Sequence, residues 1–204
     1  MTRAVFLDRD GTLIDVVRDE ETGVISTAFH PDQLRILPGV VAGLRALAAA
    51  GYVLAIATNQ PGPAKGQFSA AAVNRTNDAL VAALAGEGIT IAKVAVCMHH
   101  PVGGPAGDPA LVGPCPCRKP LPGLLDQLVS ALGVDRQASW MVGDSRADVD
   151  AGRAAKVRTA LLFSTDRCEL CPLRGGPAGA PDVFGANFAE VSRAILAARE
   201  ARVG

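Results

Sequence analysis

Apolar residues along this chain fall into two alternating rhythms. Short, largely apolar runs occupy residues 4–7, 52–57, 94–98, 139–142 and 158–163, each bounded by turn-forming or polar residues, and each reads as a buried strand. Between them the spacing is helical. Pro38 opens a helix as its first-turn proline, Val40, Val41, Leu44 and Leu47 line one face, and Gly51 ends it. Ser69 caps a second helix through about residue 84, a third runs from about 122 to 132 before Gly133, and a fourth follows Ser145 to about 155. Asn187 with Glu190 caps a last helix to about 199, and residues 182–184 fit a small extra strand. Strands alternating with helices predict an α/β fold: a three-layer, Rossmann-like, doubly wound parallel sheet, with residues 1–204 forming one domain. No internal repeat interrupts the pattern. Residues 13–36 carry no sustained period and are expected as a loop or small hairpin over the sheet edge; 61–68 and 164–181 read as irregular.

The polar residues that stop the runs are chemically selective. The first ends in Asp8-Arg9-Asp10-Gly11-Thr12, the second in Thr58-Asn59-Gln60 and the fourth in Gly143-Asp144. All fall at carboxyl ends of strands, the edge where open α/β sheets bind ligands. Strand alternation would send Asp8 and Asp10 to one side and Arg9 to the other. Two carboxylates about 4 Å apart repel by about 4 kcal/mol at an effective dielectric of about 20, so a pair needs a proton or a cation. Magnesium fits, and Asp144 would add a third acid; two solvated loop aspartates fit Asp-x-Asp equally well. Thr58 and Lys119 are suited to holding phosphate oxygens. The reaction these groups suit is phosphoryl transfer, one aspartate attacking phosphorus and its neighbour moving the proton.

Composition narrows the field. Hydrophobic residues make up 49% of 204 and the formal net charge is +0, which excludes disorder and gives no nucleic-acid footprint. No apolar run approaches the roughly 20 residues of a membrane span, and the N-terminus lacks a signal-peptide pattern, so a cytoplasmic protein with no membrane partner is expected. In that compartment five cysteines read as metal ligands or spectators rather than disulfides. Cys97-Met98-His99 and Cys115-Pro116-Cys117 frame a Pro/Gly-dense loop, and together offer four donors for a closed structural zinc site. His100 is an alternative to His99, and incidental cysteines are the bland reading. Cys168 and Cys171 have no third donor nearby, and His30 reads as an ordinary loop histidine.

Taken in order, Asp8-Arg9-Asp10-Gly11-Thr12, Thr58-Asn59-Gln60, Lys119 and Gly143-Asp144-Ser145-Arg146-Ala147-Asp148 resemble the four motifs of the haloacid dehalogenase superfamily of phosphatases. The resemblance implies that Asp8 is the nucleophile, Asp10 the general acid and base, and Thr58 and Lys119 the phosphate holders. It implies magnesium on the Asp8 side chain, the Asp10 backbone carbonyl and Asp144. The zinc loop closed by Arg118-Lys119-Pro120 is similar to that of the D-glycero-D-manno-heptose 1,7-bisphosphate 7-phosphatases and the related histidinol-phosphate phosphatases. That group implies His99 as zinc ligand, Arg118, Asn59 and Gln60 lining the substrate pocket, and no separate cap domain. A solvated surface role for Arg118 stays open. The expectation is therefore a monomeric phosphatase for a small sugar bisphosphate, with histidinol phosphate as rival substrate and a silent zinc-stabilised binding module as the rival of another class. Ser145 departs from the lysine common in the heptose enzymes, residues 16–21 align poorly, and Asp148 fits a helix cap as well as a place near the metal.

Overall fold

A computed structural model describes residues 2–19, 21, 23–163 and 181–200. The predicted alternation is present as a parallel sheet of β1 (Arg3–Leu7), β4 (Tyr52–Asn59), β5 (Ile91–Cys97), β6 (Trp140–Gly143), β7 (Arg158–Leu162) and β8 (Val183–Gly185), ordered β5-β4-β1-β6-β7-β8. β2 (Val17–Arg18) and β3 (Ile25–Ser26) form a separate antiparallel hairpin within the segment expected to lie over the site. The helices are α1 (Val40–Ala49), the short α2 (Gly62–Lys65), α3 (Ala70–Gly86), α4 (Gly123–Leu132), α5 (Arg146–Ala154) and α6 (Phe188–Glu200).

Alternation along β1 explains the layers. Val5 and Leu7 join a buried cluster with Leu44 and Leu47 of α1, Leu80 and Leu84 of α3, and Phe188 and Val191 of α6. Ala4 and Phe6 face the other way, into a cluster with Leu124, Leu125 and Leu128 of α4 and Ala151 of α5. Helices on both faces make β1 hydrophobic throughout, as a central parallel strand must be. Register then builds the functional edge: Leu7 pairs with Ile56 and with Val142, so Asp8 and Asp144, just past the ends of β1 and β6, stand beside Thr58 near the end of β4. The connection jumps from β5 across β1 to β6, which makes the β4–β1–β6 edge a topological switch point.

Several boundaries differ from the sequence expectation. α1 begins at Val40 after Gly39 in a left-handed conformation (φ 83°), so Pro38 precedes the cap instead of occupying the first turn. β5 starts three residues before the apolar run, because Ala92 and Lys93 lie exposed on an edge strand where polar residues cost little. α2 sits inside a stretch expected to be a loop. It is the platform for the cysteine loop: added Cβ atoms at Gly104 and Gly107 would lie 2.0 Å from the Lys65 carbonyl and 1.9 Å from the Ala64 carbonyl. The glycines of that loop are thus required by close backbone approach. Cys168 and Cys171 lie outside the described residues.

Candidate active site

The strand ends bring Asp8, Lys119 and Asp148 together. Lys119 Nζ donates to Asp8 Oδ1 at 2.8 Å, to Asp148 Oδ1 at 2.6 Å and to the Ala57 carbonyl at 2.7 Å. Its backbone is fixed as well: Asn59 Nδ2 donates to the Lys119 carbonyl and the Lys119 N–H donates to Asn59 Oδ1. Asn59 therefore steadies the lysine from the end of β4. Burial pushes the Lys119 ammonium down, but the Asp148 and Asp8 charges outweigh it and hold it above its ordinary value. For Asp8, burial dominates, Lys119 opposes, and Asp148 and Asp10 reinforce; the carboxyl is raised from 3.8 to about 6.

Asp148 is the helix cap that the sequence allowed, and it also binds Lys119. Its Oδ2 accepts from the backbone N–H and hydroxyl of Ser145, capping α5, while its Oδ1 takes Lys119. Gly143 makes this possible, since an added Cβ would lie 2.2 Å from Asp148 Cγ. Gly143→Ala is therefore expected to push Asp148 off Lys119 and lower phosphate-releasing kcat by about tenfold or more, with about 1–3 kcal/mol of destabilisation. Steady-state kinetics and a melting curve check this; unchanged values in both would show that the contact yields freely.

The carboxylates of Asp8, Asp144 and Asp148 offer oxygens within 4.8 Å of one another, a hard, anionic donor set that fits a magnesium ion. Asp10 is not part of that group, contrary to the expectation that Asp8 and Asp10 project together. The strand stops at Leu7, and the Arg9 carbonyl already accepts from Leu13 and Ile14, so the period of two no longer applies at Asp10. Its carboxylate lies in a seat of its own: Arg9 Nε and Gln60 Nε2 donate to Oδ2, and Thr27 Oγ1 and the Ala28 N–H to Oδ1. Arg9 does not point to solvent. It is fully buried, also donating to Asn77 Oδ1 and the Ala28 carbonyl. Gln60, expected in the substrate pocket, is fully buried and bonds Asp10 and Thr58 Oγ1. Thr58 accepts that bond, which leaves its own hydroxyl hydrogen to donate. Thr27, Arg9 and Asn77 were missed by sequence reasoning; only the arginine between two acids was a signal.

The second cluster unites Cys97, His99, Cys115 and Cys117, donors all within 4.8 Å of one another. Sulfur separations are 3.1, 3.4 and 3.7 Å, with His99 Nδ1 3.5 Å from Cys117 Sγ. Three thiols and an imidazole at such distances fit a tetrahedral zinc, whose Zn–S bonds are about 2.3 Å. Burial raises the Cys97 thiol, so metal binding there would release a proton. His100 instead bonds the Val102 backbone, and His30 caps a 3-10 turn. Arg118 is half-buried, its Nη1 donating to the His99 carbonyl at 3.2 Å. No helix among the described residues is long and apolar enough to cross a membrane.

Comparison with known proteins gives a consistent picture. A family model for HAD-like hydrolases matches residues 116–191. A D-glycero-beta-D-manno-heptose-1,7-bisphosphate 7-phosphatase of Pasteurella multocida is 35% identical over 82% of this chain and 84% of its own length. One from Yersinia pestis is 33% identical over 95% of each. The fold is similar to a D,D-heptose 1,7-bisphosphate phosphatase of B. bronchiseptica solved with magnesium and phosphate, with TM-score 0.76, 27% identity, and coverage of 97% of this chain and 99% of that one.

Proposed function

This chain belongs to the D-glycero-beta-D-manno-heptose-1,7-bisphosphate 7-phosphatase family of HAD-like hydrolases, and from that premise we propose that it removes the 7-phosphate of heptose 1,7-bisphosphate through an aspartyl phosphate. The observation that carries the proposal is the convergence of Lys119, at the end of the cysteine loop, on Asp8 and Asp148. A phosphoryl site built this way needs a nucleophile, positive charge and a proton carrier.

In the proposed mechanism an Asp8 oxygen attacks phosphorus as the phosphorus–O7 bond breaks. Asp10 gives its proton to the departing sugar oxygen, then takes one from the water that hydrolyses the acyl phosphate, releasing phosphate and restoring both acids. Thr58 and Lys119 hold phosphate oxygens, and Arg118 meets the substrate beside them. Magnesium, held by Asp8, the Asp10 carbonyl and Asp144, would supply charge neutralisation when bound; zinc on Cys97, His99, Cys115 and Cys117 would be structural. An Asp8 carboxyl raised to about 6 is still mostly ionised, and hence nucleophilic, at pH 7. Residues 1–204 are read as one domain, acting as a cytoplasmic monomer on a small phosphorylated substrate.

The test is phosphate release, with magnesium, from both anomers of heptose 1,7-bisphosphate and from histidinol phosphate. A preference for the heptose of about a hundredfold in kcat/KM, roughly 2.7 kcal/mol of transition-state binding, is the expected result. The opposite preference would replace the substrate assignment and keep the chemistry. No release from any of them by metal-loaded protein would favour a binding module.

A further inference from the structure

The seat of Asp10 contains two groups from outside the sheet edge, the Thr27 hydroxyl and the Ala28 N–H. Thr27 follows β3 in the hairpin segment that lies over the site, and the segment is fixed on both sides of its backbone. The Ala28 N–H donates to Asp10 Oδ1 at 3.3 Å, the Ala28 carbonyl accepts from Arg9 at 2.7 Å, and Phe29 stacks on Phe68 with ring centroids 5.0 Å apart. Within this segment the Thr27 hydroxyl stands at a junction. It accepts from Arg9 Nη2 at 2.6 Å, lies 2.7 Å from Asp10 Oδ1 and lies 3.0 Å from Gln60 Oε1. The other end of Gln60 donates to Asp10 Oδ2 at 2.7 Å and to Thr58 at 2.9 Å.

We propose that Thr27 is a positioning residue for the reaction: with Gln60 it clamps the Asp10 carboxyl from both oxygens and sets the angle at which that group meets the leaving oxygen and the attacking water. The inference rests on Asp10 as the acid–base group of the proposed function. A carboxylate bonded on one oxygen can rotate about its terminal torsion, which is broad for aspartate. Donors on both oxygens remove that freedom. Thr27 supplies the shortest bond to Oδ1 and Gln60 the shortest to Oδ2, beside longer bonds from Arg9 to both oxygens and from the Ala28 N–H to Oδ1.

The test compares Thr27→Val, which replaces the hydroxyl by a methyl, with Thr27→Ser, which keeps it, using heptose 1,7-bisphosphate and saturating magnesium. Thr27→Val is expected to lower kcat by about 10- to 100-fold with KM within about twofold of wild type, and Thr27→Ser to stay within about threefold in both. A purely architectural role would be repaired by neither the KM–kcat split nor the serine, and melting curves record any loss of fold. Wild-type kcat in Thr27→Val, or a Thr27→Ser as slow as the valine variant, overturns the proposal. Should Thr27→Val not fold, Thr27→Ala measured the same way decides. Asp10→Asn separates the two layers of argument: full turnover in that variant would remove the acid–base reading itself, whereas an inactive Asp10→Asn beside a fully active Thr27→Val removes only the role of Thr27.

Discussion

Asp8→Asn is expected to lower phosphate release by about four orders of magnitude or more, roughly 5.4 kcal/mol of transition-state stabilisation. The amide is close in shape, and its oxygen can still accept from Lys119, which stands 2.8 Å from Asp8 Oδ1. What it lacks is the anionic nucleophile. Retained turnover in protein free of wild-type contamination would sink the assignment. The same substitution carries a second, opposite expectation for stability. Burial raises the Asp8 carboxyl to about 6, so between its ordinary 3.8 and about 6 the folded chain binds more protons than the unfolded one. Stability therefore falls as pH rises through that window, and the penalty is complete above it. In magnesium-free buffer Asp8→Asn should melt higher than wild type at pH 7.5, with the difference shrinking toward pH 4. Equal melting temperatures at pH 7.5 would mean that the Lys119 contact fully offsets desolvation. A nucleophile that destabilises its own fold is what a site built for reaction rather than for stability predicts.

Removal of the zinc proposed at the cysteine cluster is expected to produce the largest loss of stability. The loop between Cys97 and Cys117 contains few apolar anchors; Val102 is 69% exposed and Val112 40%. Its order rests on backbone contacts with α2 and on the three thiols and His99. Taking away the proposed zinc would leave three thiols and an imidazole crowded in one place without the charge that holds them there. A loss of about 3 kcal/mol, shifting Tm by about 6–12 °C, is expected after complete chelation or in Cys117→Ser. Activity should fall with it, because Lys119 is two residues beyond Cys117 and Arg118 is tied to the His99 carbonyl. Elemental analysis of the purified protein, followed by melting curves before and after verified zinc removal, is the measurement. An unchanged Tm would remove zinc from the account of the fold.

What could be read from the sequence was what depends on local pattern. The apolar runs located every strand that borders the site, and the polar residues that end them located the edge. The cysteine cluster was legible because thiol and imidazole side chains, unlike aspartates, have few other reasons to bracket a Pro/Gly loop. His99 rather than His100 was not legible from spacing, since either histidine stands near the strand end; only the fold shows His100 turned to Val102. That Asp10 stands outside the Asp8–Asp144–Asp148 group, with partners of its own, was missed because the period of two was carried past Leu7, where the strand ends. Gln60 was placed in the substrate pocket by the resemblance; its burial depends on partners, Asp10 and Thr27, that are remote in sequence. Thr27 itself gave no signal, being one hydroxyl in an aperiodic segment.

The separation of the two aspartates also bears on how such a site can change. Asp8 takes its partners from Lys119 and, through it, from Asp148 at the start of α5, whereas Asp10 takes its partners from Arg9, the hairpin segment and Gln60. None of the described hydrogen bonds runs from one set to the other, and the Asp10 charge reaches Asp8 through space, helping to raise its carboxyl. Substitutions that keep the charge in one set therefore couple weakly to the other, whereas a change of charge at Asp10 is felt at Asp8. With the proposed roles, a lineage can therefore retune its acid–base group to a new leaving group by neutral substitutions in a surface hairpin while the hydrogen-bond partners of Asp8 stay as they are.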